Sequence, residues 1–204
     1  MIPVKTIAAL SFSVLAISPL AIESKADDYE KSFYGSIGIG SGTFSDLFLE
    51  GTPFASAFEP GFSYDASLGY DFGKHFRVDV SFTNTTSTTA NDKESQFGSI
   101  MLNGYLDFPI KDTRWTPFIG IGYGSTNIDA VNSCTPGGYD YCKDNVATSR
   151  LSTGLSYSLD SNMDITTEVT YLGLGRFTMT DDRNYVSASG SETIAAHIGL
   201  RFKF

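Results

Sequence analysis

Basic residues, cysteines and long apolar runs are all scarce in this chain. Of its 204 residues only 14 are Lys or Arg, against 23 Asp or Glu, giving a formal net charge of -9 at pH 7. So acidic a surface disfavours nucleic acid, whose phosphates need a basic face, and no nucleic-acid partner is expected. Charged residues make up 18% of the chain, below the usual quarter, while aromatics reach 14% and glycines number 20. Few charges with many aromatics exclude a disordered chain and a coiled coil. Beyond the amino terminus no apolar run nears the ~18 residues of a membrane-spanning helix, and a hydrophobic fraction of 41% is too low for a helical bundle in lipid. Histidine occurs only as His75 and His197, and cysteine only as Cys134 and Cys142. Two thiols with no imidazole in their own segment make a poor metal site, and no cofactor is expected. One membrane architecture survives: a β-barrel, whose alternating strands hide their hydrophobicity from composition.

The amino terminus reads as an export signal over residues 1–26. Lys5 is followed by an apolar stretch from Ile7 to Ile22, broken by Ser11, Ser13, Ser18 and Pro19. Ser24-Lys25-Ala26 then places small residues at −3 and −1 before Asp27, as cleavage requires. The stretch is too short and interrupted for an anchor. The expected mature domain is 27–204, in an oxidising space. There Pro136, Gly137 and Gly138 can fold the chain back between Cys134 and Cys142, so a disulfide is expected.

The mature chain resolves into eight segments of period two: 32–40, 61–72, 75–85, 97–108, 115–125, 149–159, 163–173 and 193–204. The second shows the pattern well. Phe62, Tyr64, Ala66, Leu68, Tyr70 and Phe72 alternate with Ser63, Asp65, Ser67, Gly69 and Asp71. Alternation alone fits a soluble sandwich or a membrane barrel. Strand length favours the barrel, because nine to twelve residues match a tilted membrane crossing. Tyr and Phe recur near strand ends, as in an interfacial girdle. Short connections also alternate with long ones at 41–60, 86–96, 126–148 and 174–192. The expected fold is all-β: an eight-stranded antiparallel up-and-down transmembrane β-barrel, with both termini on the periplasmic side.

The chain ends in His197-Ile198-Gly199-Leu200-Arg201-Phe202-Lys203-Phe204. This resembles the carboxy-terminal signal of outer-membrane barrels, with His197, Gly199, Phe202 and Phe204 at the patterned positions. The resemblance implies the barrel-assembly machinery as a partner. Two further segments resemble the opacity-protein and small porin-like family of eight-stranded barrels, which includes a related surface-antigen group. They are Met101 to Phe108 and Thr116-Pro117-Phe118-Ile119-Gly120-Ile121-Gly122-Tyr123-Gly124, with Phe118 where tyrosine is more usual. The resemblance implies the bacterial outer membrane as location and its lipids as surroundings.

Candidate function lies on the polar faces and in the long connections. The expected inward charges are Asp65, Asp71, Arg77, Asp79, Asp107, Arg150, Glu168, Arg201 and Lys203. A lumen of eight strands is just wide enough for side chains to fill, so these charges need partners. Glu168, flanked by Arg150 or Arg201, is the expected centre of a polar plug that also includes Arg77, Asp79 and Asp107. The alternative is a narrow passive pore. The glycines at 38, 40 and 42 and at 120, 122 and 124 lack the following helix of a phosphate loop and read as small lumen residues. His197 invites a lipid-modifying enzyme, but no Ser–His–acid spacing accompanies it, and the chain is not expected to be an enzyme. Loops 41–60 and 126–148 are candidates for an extracellular ligand. In the first, Phe44, Leu47, Phe48, Phe54 and Phe58 either cap the barrel mouth or meet a partner. A monomer with a structural or surface-interaction role is expected.

Overall fold

The structure is a computed structural model. It describes residues 31–44, 47–48, 55–56, 59–73, 75–88, 94–131, 141–175, 177–181, 184–188 and 192–204. The export segment 1–26, Cys134, and the aromatic residues Phe54 and Phe58 lie outside them, as do the side chains of Phe44, Leu47, Phe48 and Cys142. Every regular element among the described residues is a strand. In chain order these are β1 (Ser32–Phe44), β2 (Leu47–Phe48), β3 (Ala55–Ser56), β4 (Gly61–Asp71), β5 (Phe76–Thr88) and β6 (Glu94–Asp107). Then follow β7 (Trp115–Val131), β8 (Tyr141–Ser158), β9 (Met163–Leu174), β10 (Phe177–Asp181), β11 (Asn184–Ala188) and β12 (Glu192–Lys203).

Eight of these strands close an antiparallel barrel in the order β1-β12-β9-β8-β7-β6-β5-β4. Closure gives each of the eight barrel strands a partner on both sides. The small hairpins β2–β3 and β10–β11 lie in two of the long connections. Tight reversals join the strands at the other end. In one, Gly73 takes φ 75° and its amide donates to the Asp71 carboxylate at 2.8 Å. Asp71, one of the expected inward charges, therefore serves this turn. In the 108–114 reversal Asp112 takes φ 59°, and the Thr113 amide donates to the Ile110 carbonyl at 3.2 Å.

Alternation turns the apolar set outward. Phe33, Ile37, Ile39, Leu68, Val80, Ile100, Leu102, Ile119, Ile121, Leu151, Ile194 and Ile198 are exposed on the barrel wall. Aromatic belts bound this band. At the short-turn end Phe33 meets Tyr70 at 4.9 Å, Tyr70 meets Phe72 at 4.9 Å, and Trp115 meets Tyr157 at 4.5 Å between ring centres. At the long-loop end Tyr64 lies 6.3 Å from Phe82. An apolar band with aromatic rims is what a bilayer selects.

The barrel is taller than the sequence suggests on one side. Most of the segment 126–148, expected as a loop, is strand: β7 runs on to Val131 and β8 starts at Tyr141, paired from Thr126↔Val146 to Val131↔Tyr141. The period of two continues there, with Thr126, Ile128, Val146 and Thr148 buried. The outward side chains described there, Asn127, Asp129, Asn145 and Ala147, carry none of the large apolar groups of the band below. A hydropathy signal therefore stops where the ladder does not.

Candidate functional site

The candidate site is the lumen, built from inward residues of all eight barrel strands. Its short-turn end is held by charge. On β9, Asp164 is only 2% exposed and meets Lys203 Nζ at 3.0 Å and Arg201 Nη1 at 3.6 Å, both from β12. The Ser158 hydroxyl donates to the same carboxylate at 2.8 Å. On β5, Arg77 Nε donates to both oxygens of Asp107 on β6, at 3.1 and 2.9 Å.

Above this floor sits an aromatic layer. The Arg77 guanidinium lies 3.9 Å from the Tyr105 ring centre, 4.8 Å from Phe118 and 5.8 Å from Tyr34. Arg201 also approaches Tyr34 and Phe118, at 5.4 and 5.9 Å. Cations on ring faces gain an attraction that strengthens away from water. The Tyr34 hydroxyl donates to Asp79 at 3.0 Å, and Asn103 Nδ2 donates to Asp79 at 2.7 Å and to Ser81 at 2.9 Å. Tyr34 reaches Asp79 by crossing β4 at Gly69, where an added Cβ would sit 2.4 Å from Tyr34 Cζ. Phe118 likewise lies over Gly154, whose added Cβ would be 2.3 Å from its ring.

The centre of the lumen is bridged by Arg150. From β8 it donates through Nη2 to Glu168 on β9 at 2.8 Å, and through Nη1 to Ser81 on β5 at 3.1 Å. Beside this bridge lies a cavity of about 30 Å³ lined among others by Asp65, Arg77, Arg150, Glu168 and His197. That volume is on the scale of a water molecule or two. Arg77 Nη2 and Arg150 Nε have no protein partner, which gives such water something to bind. His197 Nε2 shares a hydrogen bond with Ser63 Oγ at 2.8 Å, and Ser63 shares another with Thr85 at 2.8 Å.

The long-loop half of the lumen changes character. Ser99, Thr126 and Thr148 form a hydroxyl ladder at 2.8 and 2.7 Å. Around it Phe97, Met101, Ile128, Val146, Leu172, Leu174 and Ala195 are buried.

The structure thus brings together Arg77 with Asp107, Arg150 with Glu168, and Asp79 with Tyr34 and Asn103. Arg201 joins Asp164, not Glu168. Asp164 is absent from the inward charges expected above, although it shares strand parity with Glu168. The aromatic packing on Arg77 was also missed, although Tyr34, Tyr105 and Phe118 fall on the inward parity. Of the assembly-signal residues, His197 and Gly199 face the cavity, whereas Phe202 and Phe204 are exposed outward.

An outward apolar band, aromatic rims and a lumen whose short-turn half carries paired charge define a membrane-spanning barrel. Residues 7–204 match the family described as Outer membrane protein beta-barrel domain, and the chain belongs to it. An uncharacterized protein of Haemophilus influenzae is 28% identical over 158 residues, covering 73% of this chain and 79% of its own. Among solved structures, Neisserial surface protein A is similar with TM-score 0.65 at 20% identity, covering 86% of this chain and 99% of that one. The outer membrane protein OprG of Pseudomonas aeruginosa is similar with TM-score 0.61 at 14% identity, covering 86% and 97%. At these identities the structural likeness carries the fold alone. The chain is a small eight-stranded barrel of the bacterial outer membrane.

Proposed function

We propose that this barrel has a structural or surface-interaction role and that its lumen is a polar plug. The observation that carries the reading is the Arg150 bridge, which ties β8 to β9 and to the far wall at Ser81. Paired charges crossing a lumen this narrow leave no room for a hydrated ion. Reconstitution into planar bilayers tests it: the protein should add no steady conductance, and regular single-channel steps in the unmodified protein would overturn it. The cavity beside Arg150 is what favours the second reading, a narrow pore. The His197–Ser63 contact is what favours a lipid-modifying enzyme, but Ser63 is fully buried and its hydroxyl is already shared with Thr85. A lipid mass spectrum identical in cells with and without the gene is the expected result.

The long connections face the cell exterior in this reading and the short turns face the periplasm, with residues 1–26 removed before Asp27. A Cys134–Cys142 disulfide then sits in an exterior loop, where alkylation before and after reduction would reveal it. Ligand contact falls to the exterior ends of 41–60 and 126–148, the protein is a monomer, and the carboxy-terminal His197-x-Gly199-x-x-Phe202-x-Phe204 pattern engages the barrel-assembly machinery.

A further inference from the structure

The lumen face of β1 is a trough. It carries Ser36, Gly38, Gly40 and Gly42, with β4 on one side and β12 on the other. Two rows cross it. In one, Ser63 on β4, Gly40 on β1 and His197 on β12 lie opposite one another, and in the next Asp65, Gly38 and Gly199 do. The long side chain of each row comes from the opposite bank to that of the other, and both lean over the glycines. A Cβ added to Gly40 would lie 2.8 Å from His197 Cδ2, and one added to Gly38 would overlap the Asp65 carboxylate.

His197 crosses β1 altogether. Its Nε2 shares a hydrogen bond with Ser63 Oγ at 2.8 Å, and Ser63 shares another with Thr85 on β5 at 2.8 Å. Asp65 is less well provided. Asp107, Asp164 and Glu168 each meet a cation, and Asp79 accepts from Tyr34 and Asn103. Asp65 has neither a hydrogen bond nor an ion pair among the described residues. His197 is the charge that acts on it most strongly, and Asp65 is the charge that acts most strongly on His197.

The other charges around the ring come from several strands. Glu168 on β9 lies opposite His197 in the ladder and is already held by Arg150 on β8. Arg77 and Asp79 on β5, Tyr105 on β6 and Arg201 on β12 line the same cavity, and the β1 and β7 residues lining it carry no charge. Asp65 is therefore the carboxylate left for His197.

We propose that His197 and Asp65 form a proton-operated clasp over the seam of the barrel. When the His197 ring carries a proton, its attraction to Asp65 adds to the Ser63 hydrogen bond and ties β12 to β4 across β1. When the ring is neutral, the hydrogen bond alone remains, and Asp65 stands as a carboxylate without a cation. Charges so far inside a lumen are little screened by salt. β1 pairs with β4 and β12, so a tie between those two strands holds it where the first and last barrel strands meet.

The test uses the intact barrel in phospholipid nanodiscs. NMR of the imidazole gives the midpoint of the His197 titration, with His75→Gln telling the two histidines apart. Amide exchange is then measured one pH unit below and one above that midpoint and corrected for its intrinsic pH dependence. Protection in β1 should be at least about fivefold greater on the acid side, while β7, on the far side of the barrel, should change less than about twofold. This comparison needs no variant at the clasp. Asp65→Asn keeps the shape of the side chain and removes its charge, and at the same offsets from its own midpoint it should abolish the difference in β1. Equal protection on both sides, a difference that survives Asp65→Asn, or an equal change in β7 overturns the proposal. So does a His197 ring that keeps one protonation state between about pH 4 and 9.

Discussion

From Asp164 up to Arg150 the lumen is filled by charge stacked on aromatic rings, whereas from Ser99 to Leu174 it is filled by hydroxyls and apolar side chains. The two halves respond differently to damage. A buried ion pair that loses one partner leaves an unpaired charge, while a lost hydroxyl leaves at most an unmet hydrogen bond. The charged half should therefore be brittle and the upper half forgiving.

The sharpest way to break this contrast is at Gly69, where an added Cβ would sit 2.4 Å from Tyr34 Cζ and 2.5 Å from the Val78 carbonyl oxygen. Gly69→Leu should cost roughly 3 kcal/mol or more, and the folded, heat-modifiable band on gels should nearly vanish. Gly98→Ala, on the outward face of β6 where an added Cβ has nothing closer than 3.8 Å, should fold normally.

Next is the Arg150–Glu168 pair, at 2.8 Å. Glu168→Gln should lower stability in urea by about 3–5 kcal/mol, and Arg150→Met/Glu168→Leu should recover most of the loss. If the single variant is silent, Glu168 is solvated and the plug is not brittle. Asp164→Asn should cost less, about 2 kcal/mol, because one of its partners, Lys203, is 28% exposed and can turn to water. In the upper half, Thr126→Val breaks two hydroxyl contacts yet should cost only about 1 kcal/mol by urea titration. A loss as large as that of Glu168→Gln would erase the distinction between the halves. Deleting Phe204 should change equilibrium stability least, since its ring is 73% exposed, while sharply reducing the folded barrel recovered from cells. Equal loss in cells and in refolding from urea would reduce Phe204 to a packing residue.

Strand number and facing were legible because alternation is a local property. Phe62 to Phe72 announce their own inward and outward sets without reference to any partner. Register is not local. That Arg201 opposes Asp164, while Glu168 opposes His197 across the β9–β12 ladder, depends on how far one strand slides past the next. Parity alone placed Arg201 and Glu168 on the same face, and it could equally have offered Asp164, which sits one residue inside a strand start. The β7–β8 extension was illegible for a different reason. Outward Asn127, Asp129 and Asn145 look like loop residues when polarity is taken to mean the end of a strand.

The seam where β1 meets β12 has a kinetic consequence. Every other barrel pairing joins strands that follow one another around the wall, so each can zip from its own connection. This one joins the first and last barrel strands, and its inward-facing pairs are thin: Gly38 lies opposite Gly199, Gly40 opposite His197 and Gly42 opposite Ala195. With the longest loop to close and little side-chain mass on its lumen side, the seam should close last during folding, after the other walls have nucleated. By the same reasoning it should open first, so hydrogen exchange in β1 should outpace that in β7 and set the lifetime of the native barrel.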